Sequence, residues 1–291
     1  MSIQPIQHLI RGHIKDLADG FTVNRVLPAA AARSVGPFVF VDHFGPVRLP
    51  AGKGLDVRPH PHIGLATVTY LFEGEIVHRD SAGFVQPIRP GDVNWMTAGR
   101  GIVHSERTAP EERARGPRMH GMQIWVGLPA EHEEIAPSFV HHPAAALPRL
   151  EVPGASIHVI IGHAYGAQSP VATLSPTLYC ALELKAGAQV PIETEHAERA
   201  LYVASGAIDI EGTRVEAGTL AVLEPDAAVR CGALVDSKVM LLGGTPLGHR
   251  YMWWNFVSSR KERIEQAKGD WSAQRMGQVP GETEFIPLPV K

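Results

Sequence analysis

The stretch from Gly54 to Glu106 constrains the fold most, because it sets reactive side chains in short strand-like segments separated by glycine turns. His60-Pro61-His62 precedes one β-patterned segment, and His104-Ser105-Glu106 ends another. Side chains two residues apart on a strand project from the same face of a sheet. The two motifs can therefore offer three imidazoles and one carboxylate to a single point inside a sheet or barrel.

Three nitrogen ligands and one oxygen ligand suit a redox-active divalent metal better than a structural zinc ion. The histidine pairs alone are a weak signal, because 15 histidines in 291 residues would give about one His-x-His by chance. His-x-Glu also recurs at His132/Glu134 and His196/Glu198. The glycine framework is more specific, since Gly99 and Gly101 allow the backbone to turn tightly just before His104.

This framework resembles the two-motif signature of cupins and, more narrowly, the pirin family. The resemblance extends over nearly the whole chain. It rests on six segments: Pro37 to Pro46, Arg58 to His62, Thr67 to Leu71, Gly91 to Glu106, Gln123 to Val126 and Trp254 to Ser259. It implies an all-β bicupin fold, in which two β-barrel or jelly-roll domains are followed by a short C-terminal helix that packs back on the N-terminal domain.

The division into domains is predicted from a Pro-rich and charged stretch between Leu128 and Pro153, which we interpret as a linker. We expect an N-terminal metal-binding cupin domain over 1–135, and a C-terminal cupin domain without a metal motif, plus the helical tail, over 136–291. In the second half Glu193-Thr194-Glu195 stands where the first motif would be, and no histidine follows Gly218 at the second. We interpret the acidic residues there as a solvated loop.

The resemblance implies metal ligands at His60, His62, His104 and Glu106. The glutamate that follows the first motif in many cupins is replaced by Ala66, so the carboxylate ligand is expected from the second motif. Asp42, Trp95 and Gln123 are carried over as candidates for the wall of the substrate pocket, from the pirin-like segments that they occupy. For Asp42 and Trp95 a structural role, as a turn cap or as barrel filling, is an equal alternative.

The resemblance leads to two hypotheses of different classes. The first is a quercetin 2,3-dioxygenase-type oxidoreductase that opens a flavonol-like aromatic substrate with dioxygen. Its cofactor would be Fe(II), with Mn, Ni, Cu and Zn left open, and Glu106 would be both ligand and catalytic proton acceptor. The second is a non-enzymatic, iron-containing, redox-sensing protein that binds a protein partner as a transcriptional or metabolic coregulator. A cupin-type sugar isomerase is a third possibility, but it lacks an identifiable pair of bases.

Charge and composition exclude some partners. A net charge of -3 and a pI of about 6.6 provide no basic field for direct nucleic-acid binding. No segment approaches the length of a membrane span, and residues 1–16 lack a signal-peptide pattern, so we expect a cytoplasmic protein. The two cysteines, Cys180 and Cys231, are then expected as buried thiols.

The chain after Trp254 predicts one helix. Ser259 to Glu262 matches a capping box, and Ile264, Ala267 and Trp271 supply an apolar face.

Overall fold

A computed structural model of the chain describes residues 5–16 and 21–289, and in them antiparallel β-strands are the main regular structure. The chain forms two compact units, each assembled from two separate segments. Unit 1 combines Met1–His43 with Ala145–Pro246, and unit 2 combines Phe44–Ala144 with Leu247–Lys291.

The strands of the first half are β1 (Ile6–Arg11), β2 (His13–Asp16), β3 (Thr22–Leu27), β4 (Phe38–Arg48), β5 (Asp56–His62), β6 (Leu65–Glu73), β7 (Ile76–Asp80), β8 (Val85–Ile88), β9 (Val93–Thr97), β10 (Ile102–Arg107), β11 (Arg118–Gly127) and β12 (Ser138–His142). Those of the second half are β13 (Arg149–Val152), β14 (Ala155–Ile161), β15 (His163–Ala164), β16 (Ala167–Gln168), β17 (Thr177–Leu184), β18 (Gln189–Ile192), β19 (Glu198–Ser205), β20 (Ala207–Ile210), β21 (Thr213–Glu216), β22 (Thr219–Leu223), β23 (Val229–Ala233), β24 (Ser237–Gly244), β25 (Tyr251–Trp253) and β26 (Phe256–Ser258). The α-helices are α1 (Pro110–Arg115) and α2 (Lys261–Ser272), and short 3-10 helices cover Ala130–His132 and Ala144–Ala146.

Unit 1 contains a seven-stranded sheet in the order β1-β22-β19-β24-β17-β14-β13 and a four-stranded sheet in the order β18-β23-β20-β21. Strands from both sheets contribute to one hydrophobic core, which includes Leu178, Val190, Ile208 and Cys231. Alternation of buried and exposed residues along β18 and β21 matches a sheet with one face in a core. The interior of this unit is thus filled by aliphatic side chains and two thiols.

Unit 2 contains a four-stranded sheet in the order β5-β10-β7-β8 and a run of strands in the order β12-β9-β6-β11. The C-terminal hairpin of β25 and β26 and helix α2 belong to the same unit. Ile264, Ala267 and Trp271 of α2 pack in a core cluster with Ile63 and Val103. The prediction of a bicupin whose C-terminal helix packs on the N-terminal half is therefore confirmed.

The compact units do not coincide with the contiguous ranges 1–135 and 136–291 expected from the sequence. The N-terminal strand β1 pairs with β22 in unit 1, so the first residues of the chain complete a sheet formed by the second half. Residues after Leu247 belong to unit 2 in the same way. The two segments are exchanged between the halves, and the linear boundary at residue 135 stays a prediction.

Two local predictions were wrong. The expected linker is largely structured, because β12 pairs with β9 and β13 pairs with β14. The expected capping box is absent, since α2 begins at Lys261 and its N-cap makes no side-chain hydrogen bond. The Ser259 hydroxyl donates instead to the Glu133 carboxylate at 3.0 Å.

Both cysteines are buried free thiols, as expected. Within the described ranges, no helix has the length and apolar character that crossing a membrane requires.

Candidate metal centre

Three histidines converge on one point of unit 2 because β5 and β10 are antiparallel neighbours. In their register His104 lies opposite His60, and Ile102 lies opposite His62. One ring nitrogen of each histidine lies within 4.8 Å of a ring nitrogen of each of the other two. The ring centroids are 4.4 Å apart for His60 and His104, and 5.0 Å apart for the other two pairs. The spacing predicted from His60-x-His62 and His104 therefore does produce a cluster.

Backbone carbonyls fix the tautomers of two of these rings. The Nδ1 atom of His60 lies 2.8 Å from the carbonyl oxygen of Arg58, and that of His62 lies 3.1 Å from the carbonyl oxygen of Asn255. A carbonyl oxygen only accepts, so both Nδ1 atoms must carry the proton. The Nε2 atoms of His60 and His62 then present lone pairs, as metal ligands require.

The third ring, His104, contains the clearest indication of a ligand. Its Nε2 atom is buried and has no hydrogen-bond partner. A buried polar atom without a partner is costly and rare in proteins, and here it belongs to the histidine group itself. A divalent metal bound by the three Nε2 atoms would satisfy it. The donor set therefore fits a transition metal ion.

Burial keeps the three imidazoles neutral. It lowers the pKa of His60 to about 4, and it lowers the pKa of His62 and of His104 well below the usual value. Proximity of the other rings acts in the same direction on His62 and His104, because neighbouring positive charges repel. Neutral imidazole is the form that binds metal. The site is therefore ready for ligation at neutral pH.

Glu106 follows His104 by two residues on β10 and is also buried. The register of β10 against β5 shifts between His104 and Glu106, which is a local irregularity of the ladder. The carboxylate of Glu106 lies outside the group of ligand atoms that are within 4.8 Å of one another. Its place as fourth ligand remains a prediction. Burial raises the pKa of Glu106, against the opposing effects of His78 and of a hydrogen bond from Thr69.

Thr69, on β6, links Glu106 to Gln123. Its hydroxyl lies 3.2 Å from Glu106 Oε1 and 2.9 Å from the side-chain oxygen of Gln123. A hydroxyl carries one proton and can donate to only one of them. Both contacts are satisfied when the Gln123 amide is turned so that its NH2 group donates to Thr69, which then donates to Glu106. Gln123 is thus connected to the carboxylate that we expect to act in the site.

The other two pocket candidates have structural partners. The indole nitrogen of Trp95 donates to the hydroxyl of Thr97 at 3.0 Å. Asp42, on β4, accepts two hydrogen bonds from the guanidinium of Arg25, at 2.8 Å and 2.7 Å. Burial nevertheless raises the pKa of Asp42. No described contact joins Asp42 or Trp95 to the histidines, and the assignment of a substrate pocket stays a prediction.

Within residues 5–16 and 21–289, the three histidines form the only such group of potential metal ligands. Two acidic residues of the second half have backbone partners. Glu193 accepts from the backbone N–H of Tyr165 at 2.8 Å, and Glu198 accepts from that of Gly36 at 2.6 Å.

Several neighbours of the site were missed at the level of sequence. Trp125 packs edge-on against His62, with ring centroids 5.0 Å apart, and His78 lies behind His104 with Nδ1 atoms 3.4 Å apart. The His78-x-Asp80 spacing on a strand could have been noticed, because it repeats the spacing of the ligand pair. The carbonyl of Asn255 and the hydroxyl of Thr69 carry no local signal that identifies them.

One glycine makes the Asn255 contact possible. Gly64 has φ +67, and a Cβ atom there would lie 2.0 Å from the carbonyl oxygen of Val257. Only glycine allows both the conformation and the approach. The backbone N–H of Val257 donates to the carbonyl of Ile63 at 3.2 Å, which holds the C-terminal segment next to His62.

Comparison with known proteins agrees with this architecture. The sequence profile of the Pirin family matches residues 20–126, and that of the Pirin C-terminal cupin domain matches residues 179–277. A pirin-like protein of Caulobacter vibrioides is 53% identical over 280 residues, which cover 94% of this chain and 96% of the relative. A candidate quercetin 2,3-dioxygenase of Pseudomonas aeruginosa is 38% identical over 271 residues, covering 91% of this chain and 84% of the relative.

A solved structure is similar over almost the full length. It is the crystal structure of quercetin 2,3-dioxygenase from Acinetobacter baumannii, with a TM-score of 0.90 and 32% sequence identity. The match covers 98% of this chain and 95% of the Acinetobacter chain. With both cupin domains matched, and with relatives this similar over their whole length, the chain belongs to the pirin family.

Proposed function

We propose that the protein is a metal-dependent dioxygenase of the quercetin 2,3-dioxygenase type, with Fe(II) held by His60, His62, His104 and Glu106. The observation that carries the proposal is the convergence of three buried, neutral histidines, one of which has an unpartnered Nε2 atom. The names of the Pseudomonas and Acinetobacter relatives support the choice of reaction. Iron bound there would supply Lewis acidity towards a chelating substrate and redox chemistry towards dioxygen.

The residues of the chain would contribute proton transfer and orientation. Flavonol oxidation would begin with removal of a proton from the enol hydroxyl, and we assign its acceptance to Glu106, which is buried two residues after His104 on β10. Burial raises the pKa of Glu106, which makes the carboxylate a stronger base than one in water. Thr69, supported by Gln123, would hold the Glu106 carboxyl group in one orientation through the hydrogen bond at 3.2 Å.

The test is oxygen consumption with quercetin. Protein purified without oxygen and loaded with ferrous iron should, on exposure to air, consume dioxygen and quercetin in equal amounts, with loss of the visible absorbance of the flavonol. His62→Ala should not. The matched control is His141→Ala, because His141 lies on β12 of the same unit and its Nδ1 contacts Asn94 at 2.8 Å, outside the histidine group. Equal rates in wild type and His62→Ala would refute the enzyme proposal.

We propose a second candidate, a redox-sensing protein that binds a protein partner, because one ligand is coupled to a partly exposed loop. His62 is hydrogen-bonded to the carbonyl of Asn255, which is half-buried in the loop between β25 and β26. A change in the charge of the iron would alter the acidity of the His62 N–H and so the strength of that bond. Affinity capture with ferrous and with ferric protein should then recover different partners, and identical sets would remove this candidate.

We also propose a cytoplasmic location, which is supported by the two free cysteines. A fluorescent fusion examined in cells would test it.

A further inference from the structure

A second acid–histidine pair lies directly behind the histidine cluster. On β7, which is the other neighbour of β10, Asp80 lies opposite His104 and His78 lies opposite Glu106. The Nε2 atom of His78 is 2.9 Å from Asp80 Oδ2, and its Nδ1 atom is 3.4 Å from the Nδ1 atom of His104. Both side chains are buried. The three groups form a chain from Asp80 through His78 to His104.

The carboxylate of Asp80 determines which atom donates in each of these hydrogen bonds. Oδ1 of Asp80 accepts the backbone N–H groups of Ala82 and Phe84, at 2.9 Å and 3.1 Å, and Oδ2 faces His78. An ionised carboxylate only accepts hydrogen bonds, so the Nε2 atom of His78 must be the donor. In a neutral imidazole the Nδ1 atom of His78 then has a lone pair.

That lone pair determines the proton position on His104. Two Nδ1 atoms that face each other need one donor and one acceptor, so the Nδ1 atom of His104 carries the proton. The Nε2 atom of His104, buried and without a partner, is then left with its lone pair towards His60 and His62. In the opposite arrangement, with His78 donating from Nδ1, the proton of His104 would be on Nε2 and would block a metal.

The ring plane of His78 is fixed as well. Phe139, on β12, stacks on it with ring centroids 4.4 Å apart and an interplanar angle of 15°. Rotation of the His78 ring would break both this stacking and the contact with Asp80. The distance of 3.4 Å between the Nδ1 atoms of His78 and His104 is long for a hydrogen bond.

We propose that Asp80 and His78 are positioning residues, which hold His104 in the tautomer with Nδ1 protonated and so present Nε2 to the metal. This inference rests on the metal site of the proposed function. Backbone carbonyls hold the Nδ1 protons of His60 and His62. The side-chain pair of His78 and Asp80 would hold that of His104.

The first test is the tautomer itself. Nitrogen-15 NMR of the imidazoles in metal-free, full-length protein distinguishes a protonated Nδ1 from a protonated Nε2. We expect His104, identified by its loss in His104→Ala, to be protonated at Nδ1. A His104 protonated at Nε2 in the wild type would overturn the inference, whether or not any variant folds.

The second test measures affinity for Ni²⁺ by calorimetry, with metal content determined separately. Asp80→Asn keeps an oxygen for Ala82 and Phe84 but places an NH2 group towards His78. This group would donate to Nε2 of His78, so the direction of the hydrogen bonds from residue 80 through His78 to His104 would be reversed. We expect affinity to fall about 10-fold to 100-fold, the range seen when partners of metal ligands are replaced. The control is Asp92→Asn, because Asp92 also accepts backbone N–H groups, from Arg89 and Ala144, and lies outside the histidine group.

A second variant tests the same inference if Asp80→Asn does not fold. His78→Phe preserves an aromatic ring against Phe139 while removing the acceptor for His104, and it should lower Ni²⁺ affinity to a similar degree. Unchanged affinity in Asp80→Asn and His78→Phe, with the Asp92→Asn control also unchanged, would overturn the inference. Absence of Ni²⁺ binding by the wild type would instead refute the metal site, and the NMR result would still decide the tautomer.

Discussion

Replacement of Glu133 by alanine should destabilise unit 2 more than most single substitutions. Glu133 lies 3.0 Å from the Nε atom of Arg250, and the two side chains are only 2% and 8% exposed. Its carboxylate also accepts from the hydroxyl of Ser258 at 2.8 Å, and from the backbone N–H and hydroxyl of Ser259 at 2.7 Å and 3.0 Å. This single side chain anchors the segment that carries Asn255.

The magnitude follows from burial. Removing one partner of a buried ion pair costs about 3–5 kcal/mol, because the other charge is left without compensation. The contacts with Ser258 and Ser259 are part of the same network, so their contributions do not simply add to this value. Glu133→Gln keeps the acceptor oxygen and should cost less. A second substitution, Arg250→Met, should recover part of the loss in Glu133→Ala, since it removes the uncompensated charge.

Urea unfolding followed by tryptophan fluorescence and by circular dichroism measures the effect. The control is Glu131→Ala, because Glu131 is exposed in the short helix Ala130–His132 that immediately precedes Glu133. The stability lost in this variant should be within about 0.5 kcal/mol. A loss below about 1 kcal/mol in Glu133→Ala would refute the reasoning, as would a double variant with Arg250→Met that is less stable than Glu133→Ala alone. Weaker Ni²⁺ binding should accompany the loss, because the acceptor for His62 is in the anchored segment.

Three further outcomes are expected. Replacing both His104 and Glu106 by alanine should reduce metal from one ion per chain to near zero by elemental analysis, and retained metal would place the site elsewhere. Thr69→Val should keep the metal but lower quercetin turnover about 10-fold or more, because a hydrogen bond to a charged group is worth about 1.5–3 kcal/mol. Burial would raise the pKa of Glu282, but hydrogen bonds from Arg107 and Ser105 outweigh it and lower the pKa below the ordinary 4.5. Because the pKa of Glu282 is lowered on folding, its contribution to stability is present above pH 4.5 and is lost as the pH falls through the pKa of Glu282 in the folded protein. Hydrogen exchange of residues 280–289 should therefore accelerate only below pH 4.5 in the wild type. In Glu282→Gln the exchange should already be fast at pH 7.

The clustering of the three histidines was predictable because their geometry is local. Residues two apart on a strand share a face whatever the rest of the chain does, so His60 and His62 had to point together. The glycines before His104 also behaved as expected, with φ +51 at Gly99 and φ +151 at Gly101. The turn that they form places His104 on a strand that pairs with β5. A regular pattern and a specific turn were enough for this part of the fold.

The exchange of terminal segments was only half predictable. The resemblance to pirins indicated a C-terminal helix on the N-terminal half, but nothing indicated that β1 would pair with β22 in unit 1. Edge strands of similar β-propensity satisfy the same backbone hydrogen bonds on many sheet edges, so the partner is chosen by packing across the whole unit. The prediction of a linker was wrong because the pairing of β12 with β9 also depends on packing across the unit, which the local sequence does not indicate.

The orientation of the three imidazoles, in contrast to their clustering, depends on contacts at very different sequence separations. The acceptor for His60 is two residues away, in the carbonyl of Arg58. The acceptor for His104 is 26 residues away, in His78, and the acceptor for His62 is 193 residues away, in Asn255. Only the first is implied by a strand motif. A sequence in which the ligands are retained but these acceptors are lost would therefore still match the motif, yet its imidazoles would be free to take the wrong tautomer. The proposed metal binding would therefore depend as much on the groups behind the three histidines as on the histidines themselves.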